Sequence, residues 1–368
     1  MLAIVRSGMI ISCYLSFVDF LLYFRYERVK SKLLPHMRSL SIICLQELTQ
    51  EWHDRLLPLF SSYNYTLLSS HYGPQRSGYM GTAMAFPSSL YSLEEAKITK
   101  LTDLKFWGER ERDIQGDRLI SVISFLLKIL FFFVNFFFSW MLNKPLCYSL
   151  YFRDGGDIQK AKDKNNSVIM IKLSKKVKLL EQGDEDASPP SSPSSPSTSF
   201  VIATYHMPCE FQKPNIMHLH ISLLFNSVEK FAKKDPYIVT GDFNITPPSE
   251  AYHLITKGHL PPEEMNRFLS AIPKDGLVTE KDVVVSQPML SAYAVRLGEE
   301  PPLTNYKVEE YDGKLSDFSG TLDYIWVKPG ITVENVIQLP LGRSDFPTPL
   351  PTLEEPSDHL LLGADLKI

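Results

Sequence analysis

Residues 200–244 read FVIATYHMPCEFQKPNIMHLHISLLFNSVEKFAKKDPYIVTGDFN, and two periodicities alternate within them. Phe200–Tyr205 and Tyr237–Thr240 are short apolar runs of the kind that form buried strands. Between them, Met217–Lys233 spaces Leu219, Leu223, Val228 and Phe231 at roughly helical intervals. Working outward, Ser41–Leu45, Thr82–Phe86, Ser167–Leu173, Thr321–Val327 and Leu360–Ala364 repeat the strand pattern. Strands and helices mixed in this way, with no Gly-rich phosphate loop and no internal repeat, predict a layered α/β sandwich.

The 368 residues are 44% hydrophobic and 22% charged, an ordinary globular balance with enough apolar material for a large core in one or two domains. That composition excludes a wholly disordered chain, a collagen-like repeat and a small disulfide-stapled scaffold. A net charge of −4 provides no broad basic coat for duplex nucleic acid, though a local phosphate site needs none. Cys13, Cys44, Cys147 and Cys209 show neither CxxC pairs nor zinc spacing and read as reduced thiols of an intracellular protein, with the cytoplasm as the default compartment.

Three segments depart from the pattern. Residues 1–24 are mostly apolar but carry Arg6 and Asp19; a presequence or anchor and a buried strand leading into a helix are both open readings. Residues 119–142 (LISVISFLLKILFFFVNFFFSWML) are long enough to span a bilayer, with Lys128 the one charge. A single crossing there would separate Glu47 from Asp242 and His359, which the chemistry below requires together. An insertion foreign to the domain, such as a translated intron, is therefore favoured over membrane association. Residues 182–199, acidic and then SPPSSPSSPSTS, cannot build a core and predict a disordered hairpin loop between NSVIMIKL (166–173) and FVIATYHMP (200–208). A catalytic domain over residues 25–368 interrupted by these two insertions is the expected organisation.

Acidic and amide residues recur at strand ends. IICLQE closes on Glu47, YIVTGDFN on Asp242 and Asn244, TLDYIWV carries Asp323, and PSDHLLL sets Asp358 and His359 before the last predicted strand. A carboxylate leaving a buried strand projects into the cleft at the sheet edge. Magnesium takes one or two such ligands and keeps several waters. If the strand continues past Asp242, the i, i+2 spacing puts Asn244 on the same face and turns Phe243 into the core. Singly, each residue has a plainer reading. Glu47 is a solvated strand end, Asp242 a turn former, Asp358 a cap and His359 a surface or core histidine. Only the ordered set carries weight.

That set resembles the endonuclease/exonuclease/phosphatase family of magnesium-dependent phosphodiesterases. The match runs through ICLQE (43–47), GTAMAF (81–86), NSVIMIKL (166–173), ATYHMP (203–208), GDFN (241–244), TLDYIWV (321–327) and SDH (357–359). SAY (291–293), PPLTNY (301–306) and DFSGTLDYI (317–325) are most similar to the deadenylase branch, which includes nocturnin, Angel and the Ccr–Not nucleases. The final Ser-Asp-His differs from the Cys-Asp-Arg of the inositol polyphosphate phosphatases.

The resemblance implies a DNase I-like two-sheet sandwich with flanking helices. It implies Glu47 as a metal ligand, with Asp242 and Asp358 sharing the metal or its surroundings. Asp242 would deprotonate the attacking water, Asn244 would hold the phosphate or share a metal, and Asp323 would orient His359. His206 would donate to a non-bridging phosphate oxygen. Phe318 corresponds to a base-stacking aromatic, with a core or loop aromatic as the equal alternative; Asn305 joins it as a substrate-binding candidate. The implied cofactor is magnesium, with manganese able to substitute, and the implied substrate is the single-stranded 3′ end of RNA. One departure stands out: the family opens on a strand with a metal-binding Asn, and residues 1–40 contain no Asn. Either IISCYLS (10–16) forms that strand without the ligand or the strand has been replaced. The leading expectation is a 3′-to-5′ exoribonuclease acting on poly(A). Another phosphodiesterase of the family and a catalytically degenerate adaptor are the alternatives.

Overall fold

A computed structural model of the chain describes residues 4–5, 18–105, 156–176, 199–273, 278–311, 314–346 and 348–368. Residues 119–142, the predicted loop 182–199 apart from Ser199, the stretch 10–16 and most of residues 1–24 lie outside that set. Among the described residues, no helix is long and apolar enough to cross a membrane.

The period of two along a strand sorts its side chains onto opposite faces, and both faces here are apolar. In β2 (Ile42–Leu48), Ile42 and Cys44 face one core while Ile43 and Leu45 face another. The first sheet has the order β1 (Ile4–Val5), β2, β4 (Gly81–Pro87), β3 (Tyr65–His71). The second runs β5 (Tyr91–Lys100), β6 (Ser167–Lys175), β7 (Ser199–His206), β8 (Tyr237–Asp242), β12 (Asp323–Val327), β9 (Leu290–Ser291). Ile42, Cys44, Met84 and Phe86 of the first sheet meet Ile169, Ile171, Ile202, Ile238 and Ile325 of the second in the inner core.

Helices cover the outer faces. α1 (Val18–Arg38) and α2 (Gln50–Ser62) bring Val29, Leu33, Trp52, Leu56 and Phe60 against the first sheet. α3 (Gly156–Asp163), α4 (Pro214–Ala232), α5 (Glu250–Lys257) and α6 (Pro262–Ala271) cover the second. The result is the expected two-sheet α/β sandwich with flanking helices. A fully buried Leu, Ile or Phe contributes about 1.5–3 kcal/mol, so three such cores leave local polar detail free to serve the site.

Several boundaries differ from the sequence expectation. α4 begins at Pro214, three residues early, because proline's fixed φ suits the first helical turn. The expected hairpin does pair, with Ile169 opposite Thr204 and Ser174 opposite Ser199. The edge strand β5 carries Glu94, Glu95 and Lys97, charges that protect an edge and hide it from an apolar search. The last strand is misplaced: β14 is Ala364–Lys367, paired with β13 (Thr332–Val336), and Leu360 is not in it. The backbone of 358–360 is instead engaged crosswise, Leu360 N donating to Thr304 O (2.8 Å) and Tyr306 N to Asp358 O (3.0 Å).

Candidate active site

The register of three adjacent strands builds one wall of the site. β7 and β8 run parallel with His206 beside Asp242, and β8 and β12 run antiparallel with Asp242 beside Asp323. Each is an even number of residues from an inner-facing neighbour, Ile202, Ile238 and Ile325, so all three side chains point between the sheets. Gly241 makes this closeness feasible. Its φ is +152°, and an added Cβ would lie 1.8 Å from the Tyr205 carbonyl oxygen.

His359 reaches the row from a separate segment through an isolated bridge to Asn305. Its Nδ1 lies 2.8 Å from Asp323 Oδ2, which also accepts from Thr304 Oγ1 at 2.6 Å. The backbone N–H groups of Leu322 and Asp323 donate to the same threonine oxygen at 2.9 and 3.1 Å. The ring is thereby held with Nε2 3.9 Å from both Asp242 Oδ2 and Asp358 Oδ2. Asp242, Asp323 and His359 place three potential ligand atoms within 4.8 Å of one another. Because His359 Nδ1 is already engaged by Asp323, the arrangement serves an oriented imidazole as well as a cation.

Glu47 arrives by a break in the regular pattern. Strand alternation would turn it towards α2, with Ile43 and Leu45. The β2–β4 register instead shifts between Gln46 and Leu48, and Glu47 has φ +57°. A one-residue bulge re-aims the side chain, and a left-handed non-glycine residue is strain of the sort found at functional sites. Glu47 Oε1 comes 3.9 Å from His206 Nε2, and Asp242 Oδ2 lies 3.5 Å from that nitrogen. Gln46 stays inward and donates to Thr204 Oγ1 (2.9 Å), tying the sheets together directly beneath.

Other expected residues are placed differently from the sequence picture. β8 stops at Asp242, and Asn244 has φ +49°, so a continued pleat does not align them. A turn does: Asn244 N donates to Asp242 Oδ1 (2.8 Å), and its Nδ2 donates to Met207 O (2.8 Å). Phe243 is fully buried, as expected. Asn305 is also fully buried and donates to Asp358 Oδ2 (3.2 Å), which puts it behind that carboxylate. Phe318 sits half-buried on β11 (Lys314–Gly320), opposite Lys307 of β10 (Asn305–Tyr311). Its ring edge is 3.1 Å from where a Gly320 Cβ would be.

The structure adds residues that the sequence reading did not single out. Thr304 lies within PPLTNY, yet nothing in that string marks it as the partner of Asp323. Tyr72 Oη lies 3.1 Å from His206 Nδ1, and Asn166 Nδ2 donates to the His206 carbonyl at 2.8 Å. On α1, Arg25 Nε donates to Pro356 O (3.0 Å), Arg28 to Thr352 O (3.3 Å), and Lys32 pairs with Glu355 (2.5 Å). These three side chains fasten the segment that delivers Asp358 and His359. Their spacing, three and then four residues, was the available signal. Burial pulls the Arg25 guanidinium below its ordinary value, against the opposing charges of Asp358 and Glu47.

The donor set suits a hard cation. Asp242, Asp323 and His359 offer ligand atoms close enough to hold an ion, Asp358 Oδ2 lies 3.9 Å from His359 Nε2, and uncompensated negative charge among such buried carboxylates is costly.

The family model described as "Endonuclease/Exonuclease/phosphatase family" matches residues 23–359. Mouse 2′,5′-phosphodiesterase 12 is 31% identical over 136 residues, 36% of this chain and 19% of that protein. Carbon catabolite repressor protein 4 homolog 4 of Arabidopsis thaliana is 30% identical over 143 residues, 38% of this chain and 29% of that protein. The matched stretch thus spans under a third of either relative. Among solved structures, the human nocturnin catalytic domain superposes with a TM-score of 0.56 at 16% identity, covering 100% of this chain and 94% of that one. ANGEL2, described as a 2′,3′-cyclic phosphatase, gives 0.63 at 16% identity, covering 99% and 94%. At such identity these structures speak to the fold alone.

Proposed function

The chain belongs to the endonuclease/exonuclease/phosphatase family, and from that premise we propose that it is a magnesium-dependent 3′-to-5′ exoribonuclease of poly(A)-deadenylase type. The observation that carries the reading is the buried Asp242–Asp323–His359 group, with Glu47 and Asp358 beside it. Glu47, Asp242 and Asp358 would hold the magnesium, with manganese an alternative occupant. The ion when bound supplies charge neutralisation and activation of water. Asp242 accepts the proton of the attacking water. His359, kept in one orientation by Asp323, donates through Nε2 to the phosphate as negative charge builds there. His206 donates to a second phosphate oxygen from the opposite side. Asn244 stiffens the Asp242 turn and would hold the phosphate or share the metal. Phe318 on its hairpin supplies a surface for a base to stack on.

The RNA assignment draws on the relatives, which include the catabolite repressor homolog and the nocturnins of fly, frog and human. The domain assignment is one catalytic unit over residues 25–368, with 119–142 and 182–199 as insertions. The test is the full chain with 5′-labelled RNA ending in an A-tail, with and without magnesium, beside Asp242→Ala. Parallel reactions contain a 2′,5′-linked oligoadenylate and an RNA ending in a 2′,3′-cyclic phosphate. Stepwise shortening of the A-tail, reduced about 10²–10⁴-fold in the variant, is the expected result. Cleavage confined to either of the other substrates overturns the deadenylase assignment, and no cleavage of any from a folded chain overturns the enzymatic one.

A further inference from the structure

His206 is held from both sides, and its two sides are chemically unlike. On the Nδ1 side lies the Tyr72 hydroxyl at 3.1 Å, contributed by the loop after β3. On the Nε2 side lie Asp242 Oδ2 at 3.5 Å and Glu47 Oε1 at 3.9 Å. The Tyr72 ring is half-exposed, but its hydroxyl is enclosed. Burial first, then the charges of Glu47 and Asp242, push its pKa well above that of a free phenol. The phenol therefore keeps its proton at neutral pH and has to place it on an acceptor. Asn166 Nδ2 donates to the His206 backbone carbonyl at 2.8 Å, which fixes the strand end that carries the imidazole beside the phenol.

Two neutral tautomers of His206 are conceivable, and they are not equivalent. With the proton on Nδ1, the ring N–H would donate to the phenol oxygen and the phenol O–H would have to turn to another acceptor. The Nε2 lone pair would then point at two carboxylates. With the proton on Nε2, the phenol donates to Nδ1 and the ring N–H faces the negative oxygens. The second arrangement sets a donor against an acceptor on both sides of the ring.

We propose that Tyr72 is a positioning residue that fixes His206 as its Nε2–H tautomer, with that N–H aimed into the space between Glu47 and Asp242. This deepens the function proposed above and rests on it for its catalytic meaning: a donor preset towards an anionic phosphate oxygen, needing no reorganisation when substrate enters. The tautomer itself does not depend on which phosphodiester is cleaved.

The decisive measurement uses the full chain labelled with ¹⁵N in the histidine rings, at neutral pH in magnesium-containing buffer. His206→Asn identifies the signals. The expected spectrum shows His206 with Nδ1 unprotonated and Nε2 protonated, and Tyr72→Phe converts it to a mixture of tautomers. Asn166→Ala, which leaves the phenol in place but loosens the His206 backbone, shifts the signals less and in the same direction. In the A-tail assay Tyr72→Phe lowers kcat roughly 10-fold, the size usual for a lost partner of a ring nitrogen, with KM nearly unchanged. An unmodified chain with Nδ1 protonated, or ring-nitrogen signals indifferent to Tyr72→Phe, overturns the inference. Absence of nuclease activity in the unmodified chain would remove the functional reading, while the ring-nitrogen spectra would still decide the role of Tyr72.

Discussion

The two halves of the site are built by opposite means. In the half from the six-stranded sheet, His206, Asp242 and Asp323 are neighbours because three regular strands pair in register. In the half from the four-stranded sheet and the C-terminal crossing, Glu47 depends on a bulge with left-handed backbone. Asp358 and His359 depend on one isolated bridge and a clamp from α1. Regular pairing delivers a rigid wall at low conformational cost. Irregular backbone delivers side chains to places a pleat cannot reach, and each such residue has to be held by outside contacts. Damage to the first half should therefore affect chemistry with little mobility, whereas the second half should loosen by degrees.

The largest expected effect lies where the halves join. Asp323→Asn keeps the shape but cannot stabilise a positive His359 or dictate its tautomer, and kcat should fall about 10²–10⁴-fold with the melting temperature nearly unchanged. Turnover within a few-fold of the unmodified chain would separate the regular wall from the mechanism.

Acid should act on the helix behind the regular wall. His218 and His220, buried in α4, are each held down to about 4 by burial, from an ordinary 6.5. The folded chain keeps them neutral while the unfolded chain takes up protons first. Their contribution is complete above pH 6.5 and is lost as the pH falls towards 4, up to about 3 kcal/mol for each. Urea midpoints should therefore drop across that window. His218→Leu, at a ring whose Nδ1 has no hydrogen-bond partner among the described residues, should flatten the decline. An unchanged slope would place the acid sensitivity elsewhere.

The smallest effect belongs to the clamp. Lys32 and Glu355 form a part-exposed pair, so Lys32→Ala should cost no more than about 1 kcal/mol of stability. If the clamp positions His359, kcat still falls a few-fold while KM holds. Unchanged kcat would mean that the crossing segment keeps its place without α1.

The uneven legibility of the sequence follows the same division. Short apolar runs gave most of β7 and β8 and all of β12, the strand ends then named Asp242 and Asp323, and the family resemblance added His206. The same reasoning placed Asn244 on a continued strand, although its position comes from an Asx turn, a local hydrogen bond invisible to periodicity. It set Asp358 and His359 directly before a strand, although Thr304 and Tyr306 had captured that backbone. Glu47 was found by its string, but strand alternation alone would have pointed it at α2.

What the chain determined by itself was the layering, because apolar periodicity is a property of neighbours along the sequence and burial follows from it. The same holds for Asp242 and Asp323, the carboxylates at the ends of β8 and β12. The pairing of His359 with Asp323, the Tyr72 hydroxyl on His206, the grip of α1 on residues 352–356 and the aim of Glu47 were decided only in tertiary structure. Each joins side chains or backbone groups whose geometry is set by register, bulge and crossing. Those are fixed by which segments compete successfully for a backbone hydrogen bond, and that competition has no local signature.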